Sequence, residues 1–251
     1  MNRQLDQISG SIYDAVVLDT GQAAVRGLLP QIGQKVRFDD GREFVFCSTF
    51  EVEVAAEMVA TATFSNAELA VEAAAIGAYE VVLTSAAIAM FGGSAGVLTK
   101  DRLAGGYIHM VDDTGEGYQY RIKGNTVGSA TADVTITLYD PLKVAIDVTT
   151  DAIVTGPKYR GVVECSADLP PVGVCMVPTT GASSTVEAFF WVQCGGVATC
   201  LGAGTIGVPC ITAASGAVAV SGEAGSGDYD TIVGTAVATT SDGHAIVDLN
   251  L

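Results

Sequence analysis

Apolar residues recur at every second position through much of the chain, the period of a strand with one buried face. Val134-Thr-Ile-Thr-Leu138 sets Val, Ile and Leu on one side and two threonines on the other. Tyr118-Gln-Tyr-Arg-Ile122 alternates likewise, and Tyr107-Ile-His-Met-Val111 precedes it across a loop at 112–117. Further strands are predicted over residues 78–84, 161–165, 172–177, 188–193, 196–200 and 218–220. Two Asp-Gly pairs mark hairpins. Asp40-Gly41 sits between Val36-Arg-Phe38 and Phe44-Val-Phe46, and a type I′ turn is expected there. Asp242-Gly243 lies between 233–238 and 245–249, so the last strand is expected to be tied into a sheet.

Other segments carry weaker signals. Ser65-Asn-Ala-Glu68 matches a capping box, which predicts a helix over 67–75 ending at Gly77; the competing expectation is a linker into the strand at 78–84. Asp140-Pro141 ends the strand at 134–138, and residues 152–160, with Gly156-Pro157, read as a connection. The most apolar window, 81–99, is interrupted by Thr84, Ser85, Gly92, Gly93, Ser94 and Gly96. It reads as a buried strand and a glycine turn rather than a membrane span.

These elements predict a mainly β chain of antiparallel β-sandwich or small-barrel domains with an extended N-terminal arm. Residues 1–33 lack strand periodicity and are expected to form the arm, ordered by a partner, with a short packed helix as the alternative. Residues 34–76 form the first part of a base domain. Residues 77–157 form a central β domain. Residues 158–251 form a C-terminal β domain packed with 34–76.

Composition agrees with strands and turns: 30 Gly, only 16% charged residues, and many β-branched side chains. The net charge of −16 is uneven. Residues 48–99 carry six Glu and no Lys or Arg, and residues 161–251 carry eight acidic groups and no Lys or Arg. A stretch without cations cannot displace counterions from phosphates, so neither nucleic acid nor an anionic membrane is an expected partner. The opening Met1-Asn-Arg-Gln-Leu-Asp6 is polar, unlike a secretory signal. Six cysteines (Cys47, Cys165, Cys175, Cys194, Cys200 and Cys210) form no C-x-x-C pair. They are read as small buried apolar residues, with a Cys194–Cys200 disulfide as the open alternative. With two His in the chain, a zinc site is not expected.

Three motif matches have simpler explanations. Gly92-Gly-Ser94-Ala-Gly96 fits a nucleophile elbow, and the order Ser94, Asp140, His244 fits a hydrolase triad. The flanking elements read as antiparallel β, whereas an elbow needs a parallel strand before it and a helix after it. Gly202-Ala-Gly204-Thr-Ile-Gly207 fits G-x-G-x-x-G, but Pro209 follows where the helix of a dinucleotide site would begin. Asp112-Asp-Thr-Gly-Glu-Gly117 clusters carboxylates without the spacing of a calcium loop, and an ordinary turn explains it. His109 alternates with Ile108 and Met110 as a strand-face residue. No catalytic, cofactor-binding or metal-binding residue is assigned, and no cofactor is expected. Phe38, Phe44, Phe46 and Trp191, the only Trp, are the aromatic residues expected to pack a core or anchor an interface.

A family resemblance rests on a series of segments. It begins with Gly33-Gln-Lys-Val-Arg-Phe-Asp-Asp-Gly-Arg-Glu-Phe-Val-Phe-Cys47 and Gly77-Ala-Tyr-Glu-Val-Val-Leu-Thr84. It continues through Ala104-Gly-Gly-Tyr-Ile-His-Met-Val-Asp-Asp-Thr-Gly-Glu-Gly-Tyr-Gln-Tyr-Arg-Ile-Lys-Gly-Asn125, Leu138-Tyr-Asp-Pro-Leu142, Phe190-Trp-Val-Gln-Cys-Gly-Gly-Val-Ala-Thr199 and Val233-Gly-Thr-Ala236. The series resembles head decoration, or cement, proteins of tailed bacteriophages, including the cyanophage type. It spans residues 33–251 and is most specific over 104–142. The resemblance implies a β-rich homotrimer on the outer capsid surface of the virion. Its partners would be the major capsid protein and other copies of itself, and it brings no catalytic residues. A tail-fibre or receptor-binding module is the alternative, and an esterase-like hydrolase using Ser94 and His244 is a third.

Overall fold

A computed structural model describes residues 16–19, 29–50, 53–57, 59–62, 68–84, 97–129, 132–165, 170–180, 186–221 and 231–251. The capping-box residues 65–67 and the glycine turn at 92–96 lie outside these. In chain order the strands begin with β1 (Val16–Asp19), β2 (Lys35–Arg37), β3 (Glu43–Thr49), β4 (Glu53–Val54) and β5 (Val59–Ala62). Next come β6 (Leu69–Ala70), β7 (Glu80–Leu83), β8 (Val97–Leu98), β9 (Tyr107–Met110), β10 (Gln119–Asn125), β11 (Gly128–Ser129), β12 (Val134–Leu138) and β13 (Asp151–Thr155). The last are β14 (Val162–Glu164), β15 (Pro171–Cys175), β16 (Thr179–Thr180), β17 (Val186–Leu201), β18 (Pro209–Thr212), β19 (Val218–Val220), β20 (Ile232–Thr239) and β21 (His244–Asn250). The fold class is mainly β and the strand pairs are antiparallel. A short 3-10 turn at Ala214–Gly216 is the only helical element among the described residues.

The chain divides into two compact units: residues 1–62 with 162–251, and residues 63–161. The second is a small barrel. Its strands run β6-β13-β9-β10-β12-β7. The Val71–Leu83 bridge, with Glu72 N donating to Val82 O and Thr84 N to Ala70 O, returns the order to its start. Most inward pairs in register are apolar: Leu69–Ala152, Ala152–Met110, Val154–Ile108, Ile108–Tyr120, Ile122–Leu138, Ile136–Val81 and Val134–Leu83, with the buried Asn125 opposite Ile136 as the polar exception. These residues, joined by Leu98, Leu103, Leu142 and Ile146, form one core. Closure removes the exposed edges of an open sheet.

The barrel corrects two expectations. Residues 68–75 do not form the helix expected over 67–75. Leu69 and Val71 alternate inward on an extended segment, and Ala74 bridges Ile146. Cross-strand pairing overrides the helical propensity of an alanine-rich run. Residues 152–155, expected in a connection over 152–160, belong instead to β13, held between β6 and β9 with Ala152 and Val154 buried.

In the first unit, an 11-stranded sheet is organised around β17. This 16-residue strand continues through Cys194-Gly195-Gly196, where two separate strands were expected. A bulge between Gln193 and Gly195 keeps the pairing. One edge of β17 takes β3, and the other takes β1, β15 and β21 in succession. The sheet continues from β21 through β20 and β18 to β19. Part of the expected arm is therefore a strand of this sheet, since Val16–Asp19 pairs with Phe189–Val186. The rest of residues 1–28 is outside the described residues.

Both predicted hairpins form, with a different turn. Phe38 N donates to Arg42 O and Thr240 N to His244 O, so each loop has three residues. Only its glycine has positive φ, +88° at Gly41 and +78° at Gly243. A type I′ turn needs positive φ at two positions, whereas a type I turn followed by a left-handed glycine needs it at one.

Candidate interaction surface

Three of the four singled-out aromatic residues are buried. Phe46 lies opposite Trp191 in the β3–β17 pair, and Phe44 opposite Gln193. Phe44, Phe46 and Trp191 form a cluster with Phe189, and Phe38, half-buried, packs against it. The Phe46 and Trp191 rings meet edge to face at 5.0 Å, and Phe38 and Phe44 do so at 5.5 Å. The Arg42 guanidinium lies 5.7 Å from each of the Phe38 and Phe44 rings. It also bonds Asp40 at 2.7 Å. The Arg42 amide and guanidinium together hold the Asp40 carboxyl below its ordinary pKa. Burial gives Phe44, Phe46 and Trp191 a packing role and leaves them no surface for a partner.

Residues with chemical potential are placed as follows. His244 Nε2 meets Glu57 Oε2 at 2.9 Å, while Ser94 is outside the described residues. His109 Nε2 lies 3.1 Å from Thr155 Oγ1. All six cysteine side chains are buried. Burial pushes Cys165 up to about 11 and Cys200 up to about 12, with Cys175 and Cys210 also raised. A thiolate nucleophile is thereby disfavoured.

The G-x-G-x-x-G match has a structural explanation. A Cβ on Gly202 would overlap the Val218 backbone, and one on Gly204 would press on Ala245 and Ala236. Gly207 has φ +79°, and the next element is strand β18. The 112–117 loop closes the β9–β10 hairpin, with Gly117 N donating to Met110 O. Among the described residues no group of three His, Cys, Asp or Glu is arranged to hold a metal ion. No helix among them is long and apolar enough to cross a membrane.

The feature not singled out in the sequence is the outside of the barrel. Tyr79, Tyr107, Tyr118 and Tyr139 are exposed by 41–53%. Tyr107 pairs with Arg121, and Tyr139 N donates to Arg121 O, so three side chains form one row across β9, β10 and the end of β12. The Arg121 guanidinium lies 5.1 Å from the Tyr139 ring, a cation–π contact. Residues 63–161 hold seven of the twelve Lys and Arg in the chain. The row was legible in principle. Once 107–111 and 118–122 are read as one hairpin, Tyr107 and Arg121 share the face turned away from that of Ile108 and Ile122. No protein-family model, no curated protein and no solved structure matches the chain.

Proposed function

We propose that the chain is a non-enzymatic structural protein of a tailed-phage virion. In this reading it is a homotrimeric decoration subunit on the outer capsid surface that bridges major capsid proteins. The observation that carries it is the set of four exposed tyrosines on one small barrel. Tyrosine offers a large contact area at low entropic cost and is enriched where proteins meet. A closed barrel presents these rings without an edge strand that would recruit unrelated chains. A cement subunit works by adding buried area across joints between capsid proteins, and stable contacts bury about 1,200–2,000 Å² in total. The acidic chain and the sequence resemblance over residues 33–251 point the same way.

Adding purified chain to heads that lack it tests the proposal. Stoichiometric co-sedimentation and increased resistance to heating are expected. Heads that neither bind the chain nor gain stability would reject it. The same tyrosine surface also suits a tail-fibre or receptor-binding module. That reading predicts binding to host cells or glycans and no binding to heads.

A further inference from the structure

The charged residues of two solvent-facing rows, one in each unit, are complementary. In the barrel, Arg121 stands between Tyr107 and Tyr139. It makes no ion pair among the described residues. In the other unit, Asp248 on β21 stands between Val197 on β17 and Thr235 on β20, with Pro209 on β18 next in the row. All four residues are exposed, while Ala198, Val247, Ala236 and Cys210 fill the core on the opposite face. Asp248 likewise has no ion pair among the described residues. No Lys or Arg occurs anywhere in residues 161–251 to serve it.

We infer that the Tyr107–Arg121–Tyr139 row of one copy docks on the Val197–Asp248–Thr235 row of a second copy. Each row is a charge on a β surface with less polar neighbours one strand, about 4.8 Å, to either side. Val197 is 51% exposed and Tyr139 52%, so neither row is covered by its own chain. The Arg121 guanidinium is already oriented by Tyr139, which lowers the entropy lost when it meets a carboxylate. Asp248 is the one carboxylate in a row that otherwise presents Val197, Thr235 and Pro209, so a wrong register would separate it from Arg121. The pair thus selects position as well as partner. The contact joins two different patches and is heterologous, the type that gives a ring where its rotation closes and an open filament where it does not. The inference rests on the homotrimer part of the proposed function and specifies the surfaces that would form it.

Sedimentation velocity on the purified chain across a concentration series is the test. R121E and D248R are each expected to weaken self-association by about tenfold or more, and the double variant R121E/D248R to restore it. The neutral variants R121Q and D248N, expected to weaken it less, keep the test valid if a reversed charge impairs folding. Self-association that none of these changes alters would overturn this pairing while leaving a trimer built on other surfaces. A wild-type chain that stays monomeric at every concentration would overturn the pairing, and with it self-assembly in solution.

Discussion

Trp191→Phe tests whether the aromatic cluster is a core. Trp191 has no exposed surface and packs its ring edge to face on Phe46 at 5.0 Å. The substitution removes roughly 50 Å² of buried apolar area, worth about 1 kcal/mol at ~25 cal/mol/Å². A residual void of roughly 40 Å³ adds about 1 kcal/mol. The expected loss of unfolding free energy is therefore about 2 kcal/mol. Equilibrium denaturation followed by far-UV circular dichroism measures it. In the parent protein the fluorescence of the only Trp reports the same transition for the unit containing residues 186–201. A loss under about 0.5 kcal/mol would refute the packing argument, given that surface changes fall in that range. Unchanged stability with lost binding to heads would make the ring an interface anchor instead.

Three further outcomes are expected. Gly202→Ala, at φ +122° and against the Val218 backbone, should cost more than about 1 kcal/mol in denaturation; a neutral result would reopen a ligand-binding role for the glycine motif. The Asp40 carboxyl is lowered by the Arg42 amide and guanidinium, and that of Asp147 by the Thr149 hydroxyl and amide, both from 3.8. A folded-state pKa below the unfolded one adds stability that is present above the unfolded value and lost as pH falls through the folded one. Stability should thus decline below about pH 4, and D40N with D147N should flatten that decline; an unaltered acid profile would contradict the assignment. The six buried thiols should react with a disulfide reagent at pH 8 only after denaturation, and rapid reaction of the native chain would contradict their placement.

Strands with a clean period of two were legible. Residues 134–138 are β12 at the predicted bounds, with Val134, Ile136 and Leu138 buried. The terminal hairpin was legible because Asp242-Gly243 supplies local turn chemistry. Its turn type was not, because an Asp-Gly pair suits both a two-residue and a three-residue loop. The segment 68–76 misled because helix propensity is a local quantity, whereas the pairing of Leu69 with Ala152 spans most of the barrel unit. Continuity of β17 was hidden by Gly195-Gly196, which resembles a turn. A Cβ at Gly195 would press on Glu43 and one at Gly196 on Gly41 and Arg42, so these glycines admit the β2–β3 hairpin against the strand. Of the candidate surface, the aromatic residues were visible but their faces were not. Phe44 and Phe46 point inward with Trp191, while the outward Tyr107, Arg121 and Tyr139 become neighbours only through strand order.

Quantitative mass spectrometry of intact particles, with the chain measured against the major capsid protein, tests the structural role most directly. A decoration subunit is expected at a fixed ratio to the capsid protein, released when the outer head surface is stripped. A few copies confined to tails, or none in purified particles, would contradict it.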